Sequence, residues 1–341
     1  ETIFGLAVDV GSTTLSAQLC NLKTGEVVAS AGTMNPQIRF GEDLMSRVSY
    51  LMMNPDDMTD MTSEVRAAIN YLAAQTTNEV GSDPSNIVDV ALVGNPIMHH
   101  ILLGIDPTEL GGAPFALATD MALNITAEEL DLYFNPSATA YILPCIAGHV
   151  GADTAAVILA HNPMSTKEMT LIIDIGTNAE IVLGNCDRVL ACSCPTGPAF
   201  EGAQISCGQR AAPGAIERVR VDRHTLEPSY QIIGCELWST EESFNEETRH
   251  LGITGICGSG IIEVIAELYL AGVISTDGVI DGTLSEKNDK IFLDGRTYSY
   301  KLTDTISITQ NDIRAIQLAK AALHASFQLL LDKTGTTIID K

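Results

Sequence analysis

The chain has 341 residues, enough for about two domains at roughly 150 residues each. Its 19 Lys and Arg face 43 Asp and Glu, and the resulting net charge of −24 repels phosphate backbones and anionic lipid, which argues against nucleic acid or a membrane surface as the main partner. Hydrophobic residues at 45% and charged residues at 18% describe a globular chain with a core, and no stretch nears the ~20 apolar residues of a membrane span.

The chain begins at Glu1, with no signal peptide in view, and runs directly into the apolar stretch Phe4-Gly-Leu-Ala-Val. There follow Asp9-Val-Gly11-Ser12-Thr13-Thr14 and a second alternating run, the pattern of strand, tight polar turn and antiparallel strand. A third strand is predicted at residues 27–31, after the turn Lys23-Thr-Gly25-Glu26. Residues 63–75 put Val65, Ala68, Ile69, Leu72 and Ala73 on one helical face, with Ser63 as the N-cap. Residues 88–93 read as a buried strand ending at Gly94-Asn95-Pro96, and a helix over 97–103 carries His99 and His100 as packing or surface histidines. A short strand at 140–143 and an Ala-rich helix over 151–159 close this unit, with Asp153 near the helix start. Asp153 is either a helix N-terminal charge or a group supporting the site from behind.

The opening pattern then returns as Leu171-Ile-Ile-Asp174-Ile-Gly176-Thr177-Asn178-Ala-Glu180, with a matching third strand at 188–192. The chain therefore repeats itself at domain scale, predicted as residues 1–163 and 164–341. Within the second unit, the acidic stretch 236–247 reads as a solvated loop or edge. A Gly-rich turn opens an apolar helix over 259–270, and a long amphipathic helix over 310–331 is started by Thr309 and Asp312. The end at Lys341, just after Ile338-Ile339, reads as a cut through a longer protein.

Eight cysteines are scattered without a C-x2-C pair, so neither a zinc ribbon nor a ferredoxin-type cluster is signalled. Cys192-Ser193-Cys194 is the tightest group, read either as reduced thiols on a strand or as a metal or redox feature. A reducing cytoplasm is the expected compartment.

An Asp-x-Gly-[Ser/Thr] turn between two strands can serve phosphate. Gly11 and Gly176 permit close backbone approach, and the amides and hydroxyls of Ser12, Thr13 and Thr14, and of Thr177 and Asn178, can point at phosphate oxygens. Asp9 and Asp174 would hold a hydrated Mg²⁺, which uses few carboxylates. Glu180, on the return strand, is a candidate water-orienting base or a solvated strand carboxylate. The segment Gly252-Ile-Thr-Gly255-Ile-Cys-Gly258-Ser259-Gly260 offers glycines for nucleobase and ribose and leads into a helix N-terminus. It is neither a P-loop nor a dinucleotide-binding fingerprint.

Together these elements resemble the superfamily of sugar kinases, acetate kinase, actin and related chaperone ATPases. The resemblance implies an α/β fold of two ribonuclease-H-like lobes with the nucleotide in the cleft between them. A closer resemblance rests on Val8-Asp-Val-Gly-Ser-Thr-Thr14, Gly94-Asn-Pro-Ile-Met-His-His100, Asp174-Ile-Gly-Thr-Asn178, Gly197-Pro-Ala-Phe-Glu-Gly-Ala203, Gly255-Ile-Cys-Gly-Ser-Gly260 and the segment from Ile308 to Lys320. These are similar to the ATP-dependent reductive activators of corrinoid proteins, which serve methyltransferase and O-demethylase systems of anaerobes. The resemblance implies ATP and Mg²⁺ as cofactors and a corrinoid protein as partner. It also implies a [2Fe–2S] ferredoxin-like domain preceding this unit that supplies electrons, a further Gly-rich nucleotide segment following it, and pairing into a homodimer. The expected activity is reduction of inactive Co(II) corrinoid to Co(I) driven by ATP binding and hydrolysis, with Ser193 facing the partner as a transient oxygen ligand. Three readings compete: a small-molecule kinase of the same fold, an actin-like polymerising module, and an activator of 2-hydroxyacyl-CoA dehydratases.

Overall fold

The computed structural model describes residues 2–341 apart from Glu42, Thr177, Ala203 and Ile338. The chain divides into two compact units, Glu1–Thr166 and Lys167–Lys341.

In the first unit, β1 (Phe4–Val10), β2 (Thr14–Asn21) and β3 (Val27–Met34) form an antiparallel meander. Helices α1 (Leu44–Met53) and α2 (Met58–Glu79) follow, then β4 (Ile87–Gly94), which pairs parallel to β1. After α3 (Pro96–Leu103) come β5 (Leu123–Thr126), β6 (Thr139–Ile142) and α4 (Ala152–His161). The sheet order is β3-β2-β1-β4-β6-β5. Strand alternation decides the faces: Leu15, Ala17 and Leu19 are fully buried in the core that also holds Val65, Ile69 and Leu72 of α2. Asp9 and Ser16, directly paired, are both exposed on the opposite face.

The second unit opens with the same meander: β7 (Thr170–Ile175), β8 (Ala179–Gly184) and β9 (Val189–Cys194). A separate region then intervenes, with β10 (Ala215–Val221), β11 (Pro228–Ile232), α5 (Phe244–Glu247), β12 (Gly255–Ile256), α6 (Gly258–Leu270), β13 (Ile291–Asp294), β14 (Thr297–Lys301) and β15 (Ser307–Ile308). It builds its own core around Ile216, Val219, Ile261 and Val264. The chain returns through α7 (Gln310–Thr334), whose Leu330 packs with Ala179, Ile181 and Leu183 of β8. Beyond α7, Lys341 donates to the carbonyl of Met169 and accepts from the amide of Leu171. That is the bonding pattern of a parallel bridge, so the last residue lies beside β7 as β4 lies beside β1. Each unit thus holds a meander and a long covering helix; the first adds the parallel strand β4 beside β1, and the second sets Lys341 beside the start of β7. The second differs by the region inserted before its helix.

Local signals explain several boundaries. Thr309 and Asp312 form a capping box at the start of α7, as expected. Helix α2 starts at Met58, a turn and more before Ser63, whose hydroxyl instead donates to the carbonyl of Thr59 inside the helix. The acidic stretch is not wholly a solvated loop: it ends in the one-turn α5, whose Phe244 is buried against Tyr230. Helix α1 and strands β5, β10, β11, β13, β14 and β15 were not expected from periodicity.

Candidate functional site

Each meander carries its Asp in a cross-strand row. In the first unit the row is Asp9, Ser16 and Gly32, from β1, β2 and β3. In the second it is Asp174, Glu180 and Ser193, from β7, β8 and β9. Directly opposed residues on antiparallel strands point to the same face. In the second unit the opposite face of β8 is the one that α7 covers.

The first turn connects Val10 to Leu15, the last pair of its hairpin. A Cβ at Gly11 would collide with the carbonyl of Thr14, so no side chain fits there. Ser12 and Thr13 are half-buried and Thr14 is exposed. Three successive carbonyls of this turn are gripped by the protein. Asn35 Nδ2 donates to Gly11 O at 2.8 Å, Arg47 Nη2 donates to Ser12 O at 2.5 Å, and the Asn35 amide donates to Thr13 O at 2.9 Å. Asn35 and Arg47 are fully buried. Burial lowers the Arg47 pKa to about 10 against the opposing pull of Asp43, so the guanidinium stays charged at neutral pH.

The second turn is shorter, closing after the pair Ile175–Ala179. The Gly176 amide donates to Asn178 O at 3.0 Å, and Thr196 Oγ1 donates to Gly176 O at 3.3 Å. Gly176 and Asn178 are half-buried and Asp174 is exposed. Thr177 lies outside the described residues. Ser193 Oγ donates to Glu180 Oε1 at 3.0 Å. Ser193 therefore sits within a strand beside the candidate base, rather than on the loop that follows.

The Gly-rich segment has a packing explanation at two of its glycines. A Cβ on Gly260 would collide with the carbonyl of Ile216, and one on Gly255 would come within 2.8 Å of the carbonyl of Cys207. Both residues are buried, while Gly258 is half-buried and Ser259 is exposed at the first turn of α6. Gly258 and Ser259 thus keep accessible surface that Gly255 and Gly260 lack. Asp153 accepts from the Thr154 amide at 2.7 Å in the first turn of α4.

His99 and His100 are both buried on α3, so they serve packing. Burial, reinforced by His100, pushes the His99 pKa down to about 4. Cys192 reaches toward the carbonyl of Ser326 on α7, and burial pushes its thiol upward, away from thiolate chemistry. Among the described residues no group of three His, Cys, Asp or Glu is gathered for a metal. Hydrated Mg²⁺ needs only one or two carboxylates beside phosphate, and each unit sets one exposed Asp, Asp9 or Asp174, next to its own turn. No helix of the described residues is long and apolar enough to cross a membrane.

Sequence reasoning missed Asn35 and Arg47. The local pattern shows only the helix, with Asp43 capping α1 by accepting from the Ser46 amide and Leu44, Val48 and Leu51 at helical spacing on the side of Arg47; nothing local links either residue to the turn.

Comparison with known proteins places both units. The family described as the C-terminal domain of RACo, the ASKHA domain, matches residues 168–341, and the RACo middle region matches residues 4–166. ASKHA denotes the acetate and sugar kinase, heat-shock chaperone and actin superfamily, so the expected fold class holds. The corrinoid activation enzyme RamQ of Eubacterium limosum is 32% identical over 98% of this chain and 56% of its own length. The [Co(II) methylated amine-specific corrinoid protein] reductase of Methanosarcina barkeri is 25% identical over 98% of this chain and 60% of its own length. A solved reductive activator for corrinoid, iron–sulfur protein matches with a TM-score of 0.83 at 35% identity, covering 99% of this chain and 52% of that one. The chain thus spans little more than half the length of these relatives.

Proposed function

The chain belongs to the RACo family of reductive activators of corrinoid proteins, and on that premise we propose that it is the ATPase unit of such an activator. In this reading ATP binding and hydrolysis are coupled to one-electron reduction of a Co(II) corrinoid protein to Co(I). The observation that carries it is the duplicated hairpin row, in which only the second copy sets a second carboxylate, Glu180, beside the Asp.

In this reading the amides and hydroxyls of Ser12, Thr13 and Thr14, and of Thr177 and Asn178, bind phosphate oxygens, and Asp9 and Asp174 hold hydrated Mg²⁺. Gly258 and Ser259 face the nucleoside. When bound, ATP supplies a phosphoanhydride whose cleavage separates two states of different partner affinity. Glu180 orients a water and takes its proton, with Ser193 Oγ fixing Oε1. Ser193 is also the residue proposed to meet the corrinoid, since a hydroxyl that donates to Glu180 keeps its oxygen lone pairs for the partner. An uphill electron transfer needs partner contacts that differ between the two nucleotide states. The electron is taken to arrive from a ferredoxin-like [2Fe–2S] domain outside these residues, in a cytoplasmic, homodimeric protein.

The test mixes the purified protein with a reductant and Co(II) corrinoid protein and follows visible absorbance with and without ATP. Co(I) absorbance should appear only with ATP. Asp9→Ala and Asp174→Ala should each abolish ATP turnover while the far-ultraviolet circular dichroism stays unchanged. Normal hydrolysis by both variants would remove Asp9 and Asp174 from the metal site.

A further inference from the structure

Arg47 is an unusual residue to find with no exposed surface. Its hydrogen-bond acceptors are all neutral: Gly41 O at 3.1 Å, Gln37 Oε1 at 3.3 Å, Met98 Sδ at 3.1 Å and Ser12 O. It makes no ion pair among the described residues. Asp43 acts on it only from beyond ion-pair distance; a buried charge without a contacting counter-charge is costly, and packing alone is served better by an apolar side chain of the same volume.

What the guanidinium does is visible in the turn above it. In a trans peptide the C=O of one residue and the N–H of the next point in opposite directions. The carbonyls of Gly11, Ser12 and Thr13 are drawn inward by Asn35 and Arg47. The amides of Ser12, Thr13 and Thr14 must therefore point outward. Those of Ser12 and Thr13 donate to no protein group among the described residues. Outward-facing successive amides form a rim for anions. In a chain of net charge −24, such a rim needs a local cation to offset the repulsion.

We propose that Arg47 is a positioning residue for polyphosphate, holding the first turn amide-outward from beneath and standing as the buried counter-charge of the bound anion. The inference rests on the phosphate role proposed for this turn, and it extends that role to a residue of α1 that lies under the turn.

The probes are inorganic tripolyphosphate with Mg²⁺, and adenosine, each titrated calorimetrically into the purified protein. Arg47→Met should weaken tripolyphosphate binding about tenfold or more, the scale of one charge-assisted interaction, and leave adenosine affinity unchanged. A packing role alone would lower the thermal midpoint and leave tripolyphosphate affinity of the folded protein intact, which overturns the proposal. If Arg47→Met does not fold, Arg47→Lys carries the test. It keeps the charge but loses the fork, so tripolyphosphate should bind several-fold more weakly than to the wild type, and equal binding overturns the proposal. Wild-type protein that binds no tripolyphosphate overturns it as well. Tripolyphosphate binding without ATP hydrolysis leaves this inference standing and removes the proposed function instead.

Discussion

Glu180 has no acidic counterpart in the first unit, where Ser16 occupies the matching position. Removing its charge should therefore damage chemistry rather than binding. Glu180→Gln is expected to slow ATP hydrolysis by roughly 10²-fold, with ATP affinity unchanged in equilibrium titration. His99 yields a second prediction at this scale. Its pKa falls from an ordinary value of 6.5 to about 4 in the fold, so the unfolded state binds the extra proton between those values. Stability from this group is complete above pH 6.5 and is lost as pH falls toward 4. Acidifying from pH 7 to pH 5 should cost roughly 2 kcal/mol through His99. Denaturant melts of wild type and His99→Phe at the two pH values should show that share of the pH dependence disappearing. The places of Asp9, Asp174 and Glu180 on their hairpins were legible in the sequence because strand, Asp-x-Gly turn and return strand form a local pattern. Asn35 and Arg47 were not, because they join the turn through bonds spanning 24 and 35 positions that no local pattern encodes.

At the scale of elements, the long helices and the two hairpins were readable from their periods. Helix α2 extends beyond its expected start because Met58 and Met61 continue the pattern ahead of Ser63. The strands of the inserted region were not readable, since β12 and β15 are two residues each and gain their order from tertiary pairing. The same region revises part of the Gly-rich motif. Gly260 sits where α6 crosses β10, and Ile216 O leaves no room for a Cβ. Gly260→Ala should destabilise the protein by about 1–3 kcal/mol through overpacking, offset in part by better helix propensity. Adenosine affinity of the folded protein should not change. A selective loss of adenosine binding at unchanged thermal midpoint would instead return Gly260 to the ligand.

At the scale of the molecule, the charge of −24 opposes compaction of both units. Raising salt from about 0.01 to about 0.15 M shortens the screening length from roughly 30 to 8 Å, so the thermal midpoint should climb by a few degrees. A flat response would mean that acidic residues are locally neutralised. The recurrence of the hairpin was legible because the two Asp-x-Gly stretches share their flanking pattern; the region between β9 and α7 was not, since its short strands are ordered by tertiary pairing.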